Sequence, residues 1–184
     1  MDHAVKPFYL GHMDATSKPS SFLLVLIFLA ALGSGSAGGV FFAFSSFVMK
    51  ALAHLPPAQG IAAMQSINLA VMNLSFAIQL FGTTLLCLFL AGWALRNLSL
   101  AGSGYVLTGA LFYLLGSIFV TFVFNVPRND ALDLVNPASA EGARMWASFV
   151  APWIAWNHVR TIGSLVASAA FTFALFQFGR HQGA

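Results

Sequence analysis

Polar side chains at helical spacing recur inside segments of this chain that are otherwise almost purely apolar. Trp153, Asn157, Arg160 and Ser164 follow one another at intervals of four, three and four, which puts them on one helix face, with His158 on a neighbouring face. Gln65, Asn68, Met72, Ser75 and Gln79 form a similar stripe, and Ser117, Thr121 and Asn125 a third that runs into Asn129 and Asp130. An amide in hydrocarbon costs several kcal/mol unless it is hydrogen-bonded, so each stripe must face protein or water. Interhelical hydrogen bonds and the lining of a ligand pocket are both open readings of them.

Arg160 is the most demanding of these residues. Pointing inward it needs a partner, and Asp130, Asp133 and Glu141 are the only acids outside the N-terminal tail, so an ion pair across that connection is expected. The alternative is an interfacial arginine that snorkels between Trp153 and Trp156. No His-x-x-x-His, Glu-x-x-His or Cys-x-x-Cys spacing occurs, and His54 and His158 are isolated, so no metal site is assigned.

The elements that carry these side chains follow from composition. Of 184 residues, 59% are hydrophobic and only 7% charged, where a soluble domain carries about 25% charged. With about 20 apolar residues needed per span, the length suits one all-α domain, an integral membrane four-helix transmembrane bundle. Long apolar runs, free of charge except for Arg160 in the last, place the spans at about 20–48, 62–95, 105–126 and 152–178 of a membrane domain covering 19–178. Residues 1–18 read as an N-terminal tail or surface segment and 179–184 as a C-terminal tail. Pro127 is expected to end the third span, and a short interfacial helix is expected around residues 141–150.

The run Phe22 to Leu32 before Gly35-Ser36-Ala37 imitates a cleavable leader, but Val40 to Phe44 continue it, which favours an uncleaved helix. Gly35 and Gly39, four apart, are expected to serve helix packing. The single cysteine, Cys87, sits in an apolar run and forms no intramolecular disulfide. The net charge of +3 comes from scattered residues with no basic cluster, which gives no support to nucleic-acid binding.

Four spans bring the end of the third helix and the starts of the second and fourth to one side. Gln65, Asn68, Asn125, Asn129, Asp130, Asn157, His158 and Arg160 thereby converge at one end of the bundle, among Phe and Trp residues. Such an arrangement suits a small apolar aromatic or quinone-like molecule. Both termini then share one side, and a bacterial inner membrane with cytoplasmic termini is the expected setting, although the Lys and Arg counts on the two sides tie. The bilayer is the one partner composition assigns, and a homo-oligomer is left open.

Four segments carry a family resemblance: Gly39-Val40-Phe41-Phe42-Ala43-Phe44-Ser45-Ser46-Phe47-Val48-Met49, Met64-Gln65-Ser66-Ile67-Asn68, Asn125-Val126-Pro127-Arg128-Asn129-Asp130-Ala131-Leu132 and Trp156-Asn157-His158-Val159-Arg160-Thr161. With them the chain resembles the anthrone oxygenase-like membrane family, many of whose bacterial members carry only a domain-of-unknown-function label. The resemblance implies a four-helix membrane protein. From the family's characterised fungal members it further implies oxidation of an anthrone to an anthraquinone by molecular oxygen with no cofactor.

That chemistry needs a base, a stabiliser for an oxyanion and an apolar slot. His158 is expected as the base with Asp130 second, Arg160 and Asn157 as donors to the oxyanion, and Trp153 with Phe residues as ring-stacking walls. Gln65, Asn68, Asn125 and Asn129 are the remaining ligand-binding candidates. The competing class is a non-catalytic membrane protein that binds a lipid or quinone, or a small accessory subunit.

Overall fold

A computed structural model describes residues 19–180, and the tail expected at 1–18 lies outside the described residues, as do residues 181–184. Four helices are long and apolar enough to cross a bilayer: α1 (Ser21–His54), α3 (Leu74–Arg96), α4 (Ser103–Asp133) and α5 (Ala140–Arg180), with the shorter α2 (Pro57–Val71) between the first two. Among the described residues there are no strands. Helices are what these runs must form, because a spanning backbone has to satisfy its own N–H and C=O groups. Large apolar side chains such as Phe22, Leu85, Leu115 and Phe176 are exposed around the outside. The chain is a membrane protein with an all-α four-helix bundle.

The second apolar run is not one helix. It breaks after Val71, and Asn73 builds the break from both directions: its Nδ2 donates to Ala70 O at 2.8 Å, and its Oδ1 accepts from the Phe76 amide at 2.9 Å. The expected single stripe from Gln65 to Gln79 is therefore split, and α2 stands as a separate element of 15 residues. At 1.5 Å per residue, the 23 residues of α3 reach roughly 35 Å, enough to cross the apolar layer by themselves.

Pro127 and Pro152 both lie within helices. α4 continues through Pro127 to Asp133 rather than ending there, and the turn before it, Thr121–Asn125, is π-helical. Arg128 Nη1 donates to Phe124 O at 2.6 Å across this turn, giving a local carbonyl a side-chain donor. α5 runs through Pro152, so the short helix expected near residue 141 is its first turns, and residues 179 and 180 are its last.

Along α1, α4 and α5 two apolar clusters are separated by a polar layer. One cluster includes Ile27, Leu90, Val106, Tyr113 and Phe171, and the other Met49, Ile61, Met64, Leu132, Trp146 and Trp153. Between them in sequence along the helices lie the buried Ser45, Ser117, Thr121, Asn125, Asn157, Arg160, Thr161 and Ser164. α4 and α5 cross closely where Gly116 meets Gly163: a Cβ on either would lie within 3 Å of the other's Cα. Of the glycine pair expected to pack, Gly35 faces Ser168 of α5, whereas Gly39 faces open space.

Candidate functional site

The polar layer borders a cavity of about 660 Å³ walled by all five helices. Ligand pockets commonly span roughly 300–1,000 Å³ and combine apolar walls with a few convergent polar groups. Phe41 and Phe44 come from α1, Met64 and Asn68 from α2, Phe76 and Phe81 from α3, Thr121, Phe122, Asn129 and Asp130 from α4, and Trp153 and Arg160 from α5. Three of the contributing segments are π-helical: Phe44–Val48, Ile78–Gly82 and Thr121–Asn125. Such wider turns insert one residue into the helical repeat and often mark functional positions.

Arg160 is buried, with 7% of its surface exposed. Among the described residues no carboxylate lies within ion-pair distance of it, so neither the expected acid pair nor the snorkelling alternative holds. Its Nη2 donates to Asn157 Oδ1 at 2.6 Å, its Nη1 makes a long contact to Thr121 Oγ1 at 3.4 Å, and its Nε has no partner. The guanidinium carbon sits 4.4 Å from the centre of the Phe41 ring and 5.2 Å from that of Trp153. Aromatic faces attract a cation and offset part of its desolvation, but they leave its positive charge in place.

Asn157 does different work from that expected of an oxyanion donor. Its Nδ2 is spent on Phe41 O at 2.7 Å and Ser45 Oγ at 2.6 Å, and its Oδ1 is taken by Arg160. The residue is fully buried and does not line the cavity. It holds Arg160 in place. Ser45, which also lies 3.4 Å from Thr161 Oγ1, was not singled out as a site residue from sequence. Its spacing of four from Phe41 in a helix was the available signal.

Trp153 forms a fixed wall. Its indole N–H donates to Asn129 Oδ1 at 2.7 Å, and its ring packs beside Phe44 and Phe149 at 5.8 and 6.3 Å between centroids. Asn68 lines the cavity while donating to Asp133 Oδ1 at 2.9 Å. Two other expected ligand contacts are structural ties. Gln65 Nε2 donates to Leu132 O and Val135 O at 2.9 and 3.1 Å, fastening α2 to the end of α4. Asn125, fully buried, donates to Trp153 O at 3.2 Å.

The two candidate bases are placed differently. Asp130 is exposed and lines the cavity, whereas His158 is exposed on the outward face of α5 and lines no part of it. One residue along a helix turns about 100°, so with Asn157 facing inward the next side chain leaves that face. His54, at the end of α1, bonds through Nδ1 to its own helix at Lys50 O, 2.6 Å away. Among the described residues no three His, Cys, Asp or Glu side chains gather into a metal-binding group.

Fold and site define a membrane-embedded helical bundle with a largely apolar, partly aromatic pocket that has a buried arginine in its wall. The chain belongs to the anthrone oxygenase family, whose family model matches residues 72–170. The match takes in the Asn125 to Leu132 and Trp156 to Thr161 segments and therefore Thr121, Asn129, Asp130, Trp153 and Arg160 of the pocket. No curated protein and no solved structure matches the chain.

Proposed function

We propose that the protein is a membrane-embedded, cofactor-independent oxygenase acting on an anthrone, a hydroquinone or a similar polycyclic aromatic. The observation that carries this reading, beside family membership, is Arg160: a buried guanidinium with no counter-ion among the described residues, in the wall of a largely apolar pocket with six aromatic rings. An anthrone has an acidic CH₂ opposite its ring carbonyl. Loss of one of those protons, with Asp130 as the acceptor lining the pocket, moves the C–H electron pair into the ring system and leaves negative charge on the carbonyl oxygen. Arg160 favours that charged form because its positive charge is in place before the reaction.

The enolate carbon passes an electron to molecular oxygen, and recombination of the two radicals forms a C–O bond. Protonation gives a hydroperoxide. Loss of the remaining C–H proton with cleavage of the O–O bond leaves a second ring carbonyl and releases water. One oxygen molecule is consumed and one water formed for each quinone.

The alternative of a non-catalytic lipid- or quinone-binding protein draws on the same cavity, and the exposure of Asp130 favours it over an enzyme with a buried base. Measuring oxygen uptake and quinone formation by the purified protein with an anthrone in air, against heat-inactivated protein at the same pH, separates the two. Faster turnover than the control supports the oxygenase. A rate no faster, across several anthrones and hydroquinones, leaves the binding protein. For location, we propose a bacterial inner membrane with both termini on the cytoplasmic side.

A further inference from the structure

A buried arginine in a membrane protein ordinarily meets a carboxylate, because desolvating an unpaired charge costs several kcal/mol. Here the groups around Arg160 among the described residues come from three helices and none is an anion: Phe41 from α1, Thr121 from α4, and Trp153 and Asn157 from α5. Among the described residues Asp130 is the only other ionisable one lining the cavity. It is exposed and out of ion-pair reach. The guanidinium Nε is buried and unbonded. The rest of the lining is aromatic and aliphatic apart from the neutral side chains of Asn68, Asn73, Thr121 and Asn129, so it supplies flat surfaces and uncharged polar groups.

We propose that the cavity is an anion site, in which an aromatic ligand binds with a ring-borne oxyanion on Arg160, so that the ligand supplies the missing counter-charge. The ligand class is therefore an acidic hydroxyarene or enol, bound as its anion with its rings between Phe44, Phe76, Phe81 and Trp153. This rests on the pocket of the oxygenase reading and names the charge state of what enters it. It requires no turnover.

The test uses full-length protein in detergent and two product-like probes: 1,2-dihydroxyanthraquinone, whose phenolate absorbs at longer wavelength than the phenol, and its dimethyl ether, which has no acidic proton. The expected result is that bound dihydroxy probe shows the phenolate band at a pH roughly 1–3 units below that in detergent alone, as for an acid beside a fixed positive charge. The dimethyl ether binds about 10- to 100-fold more weakly, the factor carried by one hydrogen bond to a charged group.

Arg160→Gln abolishes the band shift and brings the affinity for the dihydroxy probe down toward that for the ether, and Arg160→Lys keeps part of the shift. If Arg160→Gln does not fold, Asn157→Asp is read instead: it places a carboxylate against the same guanidinium and must also remove the shift. A band shift unchanged in these variants, equal affinity for the two probes, or no binding of either probe overturns the proposal. Dodecanoate, an anion on an aliphatic body, is run as competitor. Displacement of the phenolate at lower concentration than the probe itself requires would assign the site to a lipid anion and overturn the aromatic assignment. A preserved band shift with no oxygen uptake from anthrones would remove the oxygenase reading alone.

Discussion

Asn157 grips Arg160 from one helical turn away, its Oδ1 accepting from Nη2 at 2.6 Å while its Nδ2 is anchored on Phe41 O and Ser45 Oγ of α1. Orientation of the cation thus depends on contact between the first and last helices. Replacing Asn157 with Leu removes three hydrogen bonds at once and leaves Ser45 and the guanidinium less satisfied. A loss of about 1–3 kcal/mol or more is expected, read as a lower melting temperature in detergent. An unchanged melting temperature would show that the grip contributes nothing to the fold.

The choice of base is tested by a pair of variants. Asp130→Asn removes the only carboxylate among the described residues that line the pocket and is expected to lower anthrone-dependent oxygen uptake by about 10²-fold, with little effect on melting because the side chain is exposed. His158→Ala, altering an outward-facing residue, is expected to leave most of the rate. The reverse pattern would return the base to His158.

Gly116 and Gly163 set how closely α4 and α5 approach. A Cβ at Gly163 would stand 2.8 Å from Gly116 Cα, and the contacted atom is backbone, which cannot swing aside. Gly163→Ala is expected to destabilise by about 1–3 kcal/mol, seen as a lower melting temperature. Gly39→Ala, facing open space, serves as the neutral control.

Topology is tested by labelling single cysteines. His54→Cys and Ala138→Cys should react from one side of the membrane and Leu98→Cys from the other. The native Cys87 is fully buried and should remain silent without being replaced. Labelling of positions 54 and 138 from opposite sides would dismantle the four-span arrangement.

The four apolar helices were legible because runs without charge have few alternatives in lipid, and the inward face of α5 was legible from the spacing of Trp153, Asn157, Arg160 and Ser164. That spacing also placed His158 off the face, which its chemistry obscured. What sequence left open were outcomes of side chains bonding to backbone. Asn73 divides the second run by serving both flanking helices, and the wide turn before Pro127 lets α4 continue where the proline alone predicts a stop. Arg160 was read as seeking an acid because acids are its usual partners. No local pattern shows that Asn157 and two aromatic rings would receive it instead.

Several residues that line the cavity, including Met72, Leu74, Phe81 and Phe122, are also exposed on the outside of the bundle, with Phe81 and Phe122 stacked at 6.3 Å between ring centres. The rim is made of the same kind of surface that meets acyl chains. If the ligand is the hydrophobic molecule proposed above, the bilayer becomes the reservoir from which the pocket would fill, and the concentration that would govern occupancy is moles of ligand per mole of lipid. Adding empty vesicles or micelles at constant total ligand should dilute it and raise the apparent half-saturation point, although no molecule competes for the cavity.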